Sequence, residues 1–106
     1  MKLYVTNTSP YARIVRIVVS EKHLETRVET IVARTRVAES PYYRINPSGR
    51  VPYLIRDDGA GLEDSALICS YLDHLDGEPA FEPPADEAGW EARRLEALAR
   101  SWLDGI

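Results

Sequence analysis

The run "MKLYVTNTSPYARIVRIVV" constrains this chain more than any other stretch, because its periodicity changes in the middle. "KLYVT", Lys2 to Thr6, is short, β-prone and alternating, which predicts a strand. From Pro10 onward the apolar residues Tyr11, Ile14, Val15, Val18 and Val19 recur at helical spacing, with Arg13, Arg16 and Ser20 on another side. Ser9 followed by Pro10 has the pattern of an N-cap with proline at the first helical position. The helix is rich in β-branched residues, so packing against a sheet must hold it. "TRVETIVA" then returns to alternation and predicts a second strand. A strand, a crossover helix and another strand imply parallel pairing.

The rest of the chain adds a second unit. "VAESPYYRINPSGR" is irregular, with room for one helical turn. "YLIR", the turn "DDGAG" and "GLE" predict a hairpin. "DSALICSYLDHLDG" is the clearest helix, capped by Asp64 or Ser65 and ended by Gly77. Its expected buried stripe is Leu67, Ile68, Tyr71, Leu72 and Leu75. The Pro-rich, acidic "EPAFEPPADEAG" is a linker, and "WEARRLEALARSWLDGI" is an amphipathic helix with Leu95, Leu98, Trp102 and Leu103 on one side. The expected division is a domain over 1–78, a linker over 79–89 and a lone helix over 90–106. The order βαβ–ββα predicts an α/β fold with helices packed on the faces of its sheet.

Composition narrows the function classes. With 44% apolar and 28% charged residues the chain reads as an ordinary soluble domain. No run of 18 apolar residues predicts a membrane span, and the N-terminus lacks the pattern of a signal peptide. A single cysteine, Cys69, rules out an internal disulfide and makes a cytoplasmic setting the default. The net charge of -4 conceals an asymmetry: residues 1–56 carry ten Lys/Arg against four Glu, and residues 57–106 three Arg against thirteen Asp/Glu. A basic first half suits a small anion. The bases are scattered rather than clustered, which argues against nucleic acid. His23 follows the first helix and His74 sits in the last turn of the third, and no metal-ligand spacing is present.

Three places can carry chemistry. At Ser9 the serine hydroxyl meets the unpaired N–H groups and positive dipole of a helix start, a setting that stabilises an anion and lowers the pKa of a bound thiol. The simpler reading is a cap alone, and no general base accompanies Ser9 to support a covalent serine mechanism. In "NPSGRVPYLI", Val51-Pro52 precedes a strand. It is either an edge proline or a cis peptide that turns the Val51 backbone toward a peptide ligand. In "LEDSALI", Asp64 and Ser65 either only cap the helix or also hold the two charges of an amino-acid end.

Ser-Pro-Tyr after a first strand, Gly-Arg-Val-Pro before a third and Asp-Ser opening a helix after a fourth together resemble the N-terminal domain of the glutathione transferases. The resemblance covers residues 1–78, and the tail looks like the first helix of that family's all-helical second domain. It implies a thioredoxin-like fold with a mixed four-stranded sheet. It implies that glutathione is the co-substrate, that no metal is used, and that Ser9 is the catalytic hydroxyl on the glutathione sulfur. Val51 then pairs by its backbone with the cysteinyl unit, Pro52 is the cis-proline, Asp64 and Ser65 receive the γ-glutamyl end, and Arg50 approaches the glycyl carboxylate. The partners implied are glutathione, a small electrophile and a second copy of the chain in a homodimer. The alternative is a non-catalytic member that binds or dimerises. A cysteine nucleophile is disfavoured, because Cys69 lies inside a helix rather than at the Ser9 position. Tyr4 falls mid-strand and reads as packing or site lining.

Overall fold

The computed structural model describes residues 1–77 and 80–105. The boundary expected at residues 78 and 79 and the terminal Ile106 lie outside them. The chain divides into two compact units, Met1–Asp76 and Gly77–Ile106. In the first, β1 (Lys2–Val5), α1 (Pro10–Glu21) and β2 (Glu29–Val32) are followed by a one-turn α2 (Tyr42–Ile45). The hairpin β3 (Tyr53–Ile55) and β4 (Gly61–Glu63) and the helix α3 (Ser65–Asp73) complete it. The sheet order is β2-β1-β3-β4, with β1 and β2 parallel and the other two pairings antiparallel.

Alternation along the strands divides the core between the two faces of the sheet. Leu3, Val5 and Leu54 point to one face, where they meet Ala12, Val15 and Val19 of α1 and Ile68 and Leu72 of α3. Tyr4 points to the other, where it packs with Tyr42 of α2, their ring centroids 5.5 Å apart, beside Val51, Tyr53 and Ile55. Tyr4 is therefore a packing residue.

Two sequence expectations need correction. Leu67 does not join the buried stripe of α3 and is 52% exposed. The inward face is centred on Ser65, Ile68 and Leu72, one turn apart, and Leu67 sits about 100° round the helix from Ile68. The lone helix, α4, runs over Glu87–Asp104 and so begins three residues earlier than expected. Asp86 starts it by accepting a hydrogen bond from the Gly89 N–H at 2.8 Å. Gly89 is required there, since a Cβ would run into the Pro84 carbonyl.

α1 and α3 are tied at their far ends by a buried ion pair. Lys22 Nζ lies 3.0 Å from Asp73 Oδ1 and 3.5 Å from Asp76 Oδ1, and the side chains of Lys22 and Asp73 are each 3% exposed. Burial pulls the Lys22 ammonium down, and hydrogen bonding and attraction from Asp73 and Asp76 outweigh it, so its pKa lies above the ordinary 10.5. Cys69 packs against the edge of the core. Among the described residues no helix is long and apolar enough to cross a membrane.

Candidate functional site

Strand register brings the three candidate places to one end of the sheet. Tyr4 near the end of β1 is opposite Tyr53 at the start of β3, and Tyr53 is opposite Glu63 at the end of β4. The loop to Ser9 leaves that end, Val51-Pro52 enters β3 there, and Asp64-Ser65 follows β4 there. Two helix N-termini, those of α1 and α3, thus flank one loop.

Each place is built by local chemistry. Ser9 is the N-cap of α1, in extended conformation, and its Oγ accepts a hydrogen bond from the Ala12 N–H at 3.1 Å. A hydroxyl engaged as acceptor keeps its proton for donation to a ligand. The Val51–Pro52 peptide is cis. Asp64 is the N-cap of α3, its Oδ1 accepting from the Ala66 N–H at 2.9 Å, and Ser65 is the first helical residue. The sequence had left the cap open between these two. Asp64 adopts φ +75° and ψ 128°, a positive-φ backbone that lies outside the left-handed helical region and that few L residues adopt. Ser65 is buried, and the Asp64 and Arg50 side chains are exposed.

Sequence reasoning missed the groups that hold the loop before the cis-proline. Tyr42 Oη donates to the Arg50 carbonyl at 2.6 Å, and Asn46 Nδ2 donates to the same oxygen at 3.1 Å. Asn46 Oδ1 in turn accepts from the Ser48 N–H at 3.2 Å and lies 3.1 Å from the Ser48 hydroxyl. Ser48 Oγ is also 2.5 Å from Glu63 Oε1, which links the loop to the strand that precedes the α3 cap. Gly49 closes the turn at φ +69°, where a Cβ would run into the Tyr43 ring. Burial raises the Tyr42 phenol above its ordinary value of 10.0, so it stays a donor through the neutral range. "NPSG" carried the signal for Asn46, as an asparagine able to bond its own backbone two residues on.

A further feature lies on the solvent side of α1. An open, shallow groove of about 270 Å³ is lined by Thr6, Asn7, Ser9, Arg13, Arg16, Ile17 and Ser20. It does not include Val51, Asp64 or Ser65.

A parallel βαβ unit continued by an antiparallel ββα unit, with a cis-proline loop ahead of β3, defines a thioredoxin-like domain. The family profile described as glutathione S-transferase, N-terminal domain, matches residues 3–80, and the chain belongs to the glutathione S-transferase family. It is 32% identical over 104 residues to an uncharacterised GST-like protein, YibF, of Escherichia coli K12, covering 98% of this chain and 50% of that protein. A glutathione S-transferase structure from Methylobacillus flagellatus KT, with glutathione bound, is 42% identical with a TM-score of 0.75, covering 93% of this chain and 48% of the other. A glutathione transferase family member from Pseudomonas fluorescens Pf-5, with S-(propanoic acid)-glutathione bound, is 32% identical with a TM-score of 0.80, covering 98% and 50%. The chain thus spans about half the length of these relatives.

Proposed function

We propose that this chain is the glutathione-binding part of a serine-type glutathione transferase. The observation that carries the reading is the strand register that sets the Ser9 cap, the cis-proline loop and the Asp64-Ser65 cap at one end of the sheet. Relatives with glutathione or a glutathione conjugate bound support it. The donors match the ligand end by end. The α3 N-terminus with Ser65 suits the α-carboxylate of the γ-glutamyl unit, and the Asp64 oxygen not used for capping suits its ammonium. The Val51 backbone suits the cysteinyl unit, as an added extended segment. Arg50 suits the glycyl carboxylate.

In the reaction, glutathione loses its thiol proton to solvent as the α1 N-terminus and the Ser9 hydroxyl stabilise the thiolate. The sulfur attacks an electrophilic carbon, a C–S bond forms, and the leaving group departs with its bonding electrons. Ser9 donates a hydrogen bond and acts as neither base nor nucleophile. Binding is tested by calorimetry at millimolar glutathione, and an absence of heat would remove the site assignment. Ser9→Ala is expected to lower turnover of 1-chloro-2,4-dinitrobenzene by roughly 100-fold while changing glutathione affinity a few-fold at most. Equal turnover in the variant would end the catalytic role.

The second reading is a domain that binds glutathione and associates without catalysis. The exposed apolar side of α4, with Trp90, Leu95, Leu98 and Trp102, favours it. Glutathione binding with no turnover of the chloro-dinitro substrate would select it.

A further inference from the structure

The backbone at Val51 is aimed by hydrogen bonds to its neighbour Arg50. Arg50 and Val51 share a trans peptide plane, in which the Arg50 carbonyl and the Val51 N–H point in opposite directions. Tyr42 Oη and Asn46 Nδ2 draw the Arg50 carbonyl inward, so the Val51 N–H is turned the other way. The Arg50 N–H donates to Ser48 Oγ at 3.3 Å. Ser48 Oγ has a single proton and two acceptors in reach, Asn46 Oδ1 at 3.1 Å and Glu63 Oε1 at 2.5 Å. The shorter contact is to a carboxylate, so the proton goes to Glu63, while Asn46 Oδ1 accepts from the Ser48 N–H at 3.2 Å.

Glu63 closes β4 opposite Tyr53 and is followed directly by Asp64. Asp64 sits at φ +75° and ψ 128°, a backbone that persists only where its surroundings hold it. Its own cap bond to the Ala66 N–H holds it on one side. Glu63 holds it on the other, through the pairing with β3 and the bond from Ser48. Among the described residues Glu63 makes no ion pair, and Ser48 is its hydrogen-bond partner. One hydroxyl therefore joins two segments 15 residues apart, the peptide that aims Val51 and the residue that caps α3. We propose that Ser48 and Glu63 are a pair of positioning residues, a clasp that sets the spacing between the Val51 backbone and the Asp64-Ser65 cap before the ligand arrives. Neither residue touches the ligand. Val51 and the cap take different units of one short peptide, so their separation has to match it, and fixing that separation in advance removes an ordering cost from binding. The inference rests on the assignment of glutathione to this end of the sheet and adds what presets the site for it.

The test is a double-substitution cycle on the full chain, with glutathione affinity read by calorimetry. Ser48→Ala and Glu63→Ala are each expected to weaken binding about fivefold. Together they should weaken it about fivefold again, rather than roughly 25-fold, because either change alone opens the clasp. Glu63→Gln keeps an oxygen acceptor for the Ser48 hydroxyl and should recover most of the loss. Both side chains are exposed, so the groups left behind reach water and the urea midpoint should stay near that of the parent. Parental affinity in either alanine variant overturns the clasp, as do losses that multiply in the double variant. A Glu63→Gln variant as weak as Glu63→Ala, or a fall in urea midpoint that matches the loss of affinity, overturns it too. Failure of the unaltered chain to bind glutathione removes instead the assignment on which the clasp rests, and the clasp with it.

Discussion

Asn46 shows how much of the candidate site depends on a residue assigned no ligand contact. It is 3% exposed, and its amide joins the Arg50 carbonyl, the Tyr42 hydroxyl and the Ser48 backbone. Asn46→Ala removes those bonds and leaves the Arg50 carbonyl and the Ser48 N–H short of partners in a part-buried loop. The expected cost is about 2–3 kcal/mol in urea denaturation. Glutathione binding should weaken along with it, because the Val51 backbone loses its support. A variant as stable as the parent would show that water replaces the amide without loss. The role of Ser9 as a cap could be read from local spacing, since it precedes an apolar-periodic run; at Asp64-Ser65 spacing marked a cap, and the structure assigned it to Asp64. The Asn46 bond to the Ser48 N–H has a local signal, but the bonds of Asn46 and Tyr42 to the Arg50 carbonyl could not be assigned that way, because that oxygen is set by the turn at Gly49 and the cis peptide beyond it.

α1 and α3 pack side by side on one face of the sheet, and the pair is fixed by apolar contact along its length and by Lys22 with Asp73 at its far end. Lys22 ends α1, and Asp73 lies in the last turn of α3. Removing the Asp73 charge leaves the buried Lys22 ammonium with the more distant Asp76 carboxylate, 3.5 Å away, which is costlier than removing both charges of the closer pair. Asp73→Asn is therefore expected to lower the melting temperature by about 5 °C or more. The pH dependence follows from direction. The Lys22 pKa in the folded chain lies above 10.5, so its contribution is complete below that value and is lost as pH rises through the folded pKa. The Tyr42 phenol, raised mainly by burial, has the same sign above pH 10.0. The melting temperature should thus be insensitive to these two groups from pH 7 to 9 and fall beyond about pH 10. Asp73→Asn should reduce the alkaline fall; a melting temperature that climbs in that range would contradict the assignment.

Within Met1–Asp76 the stability rests on the buried faces of the sheet, whereas α4 in the second unit shows solvent most of its apolar side chains. Leu54 is fully buried, and Trp102 is 74% exposed. Leu54→Ala should cost about 3–5 kcal/mol. Trp102→Ser should change stability by less than about 0.5 kcal/mol and reduce self-association in light scattering, because it removes exposed apolar area without opening a cavity. A large loss of stability from Trp102→Ser would mean that the helix is covered in solution.

Much of this architecture could be read from residue order. The change from alternating to helical spacing around Ser9-Pro10, the hairpin glycines and the Asp64-Ser65 cap are local signals, and local signals survive without knowledge of contacts. They supplied the element order and the candidate places at Ser9, Val51-Pro52 and Asp64-Ser65. Other properties depend on contacts between segments far apart in the chain. Pattern alone could not tell that Leu67 faces solvent, since an apolar residue beside a buried stripe looks the same on either side of its edge. Nor could it pair Lys22 with Asp73, or Ser48 with Glu63, across gaps of 51 and 15 residues. Tertiary structure decided these, because burial and partnership are set by which elements meet. The chain order supplies the caps, and the register of three strands brings them to one end of the sheet.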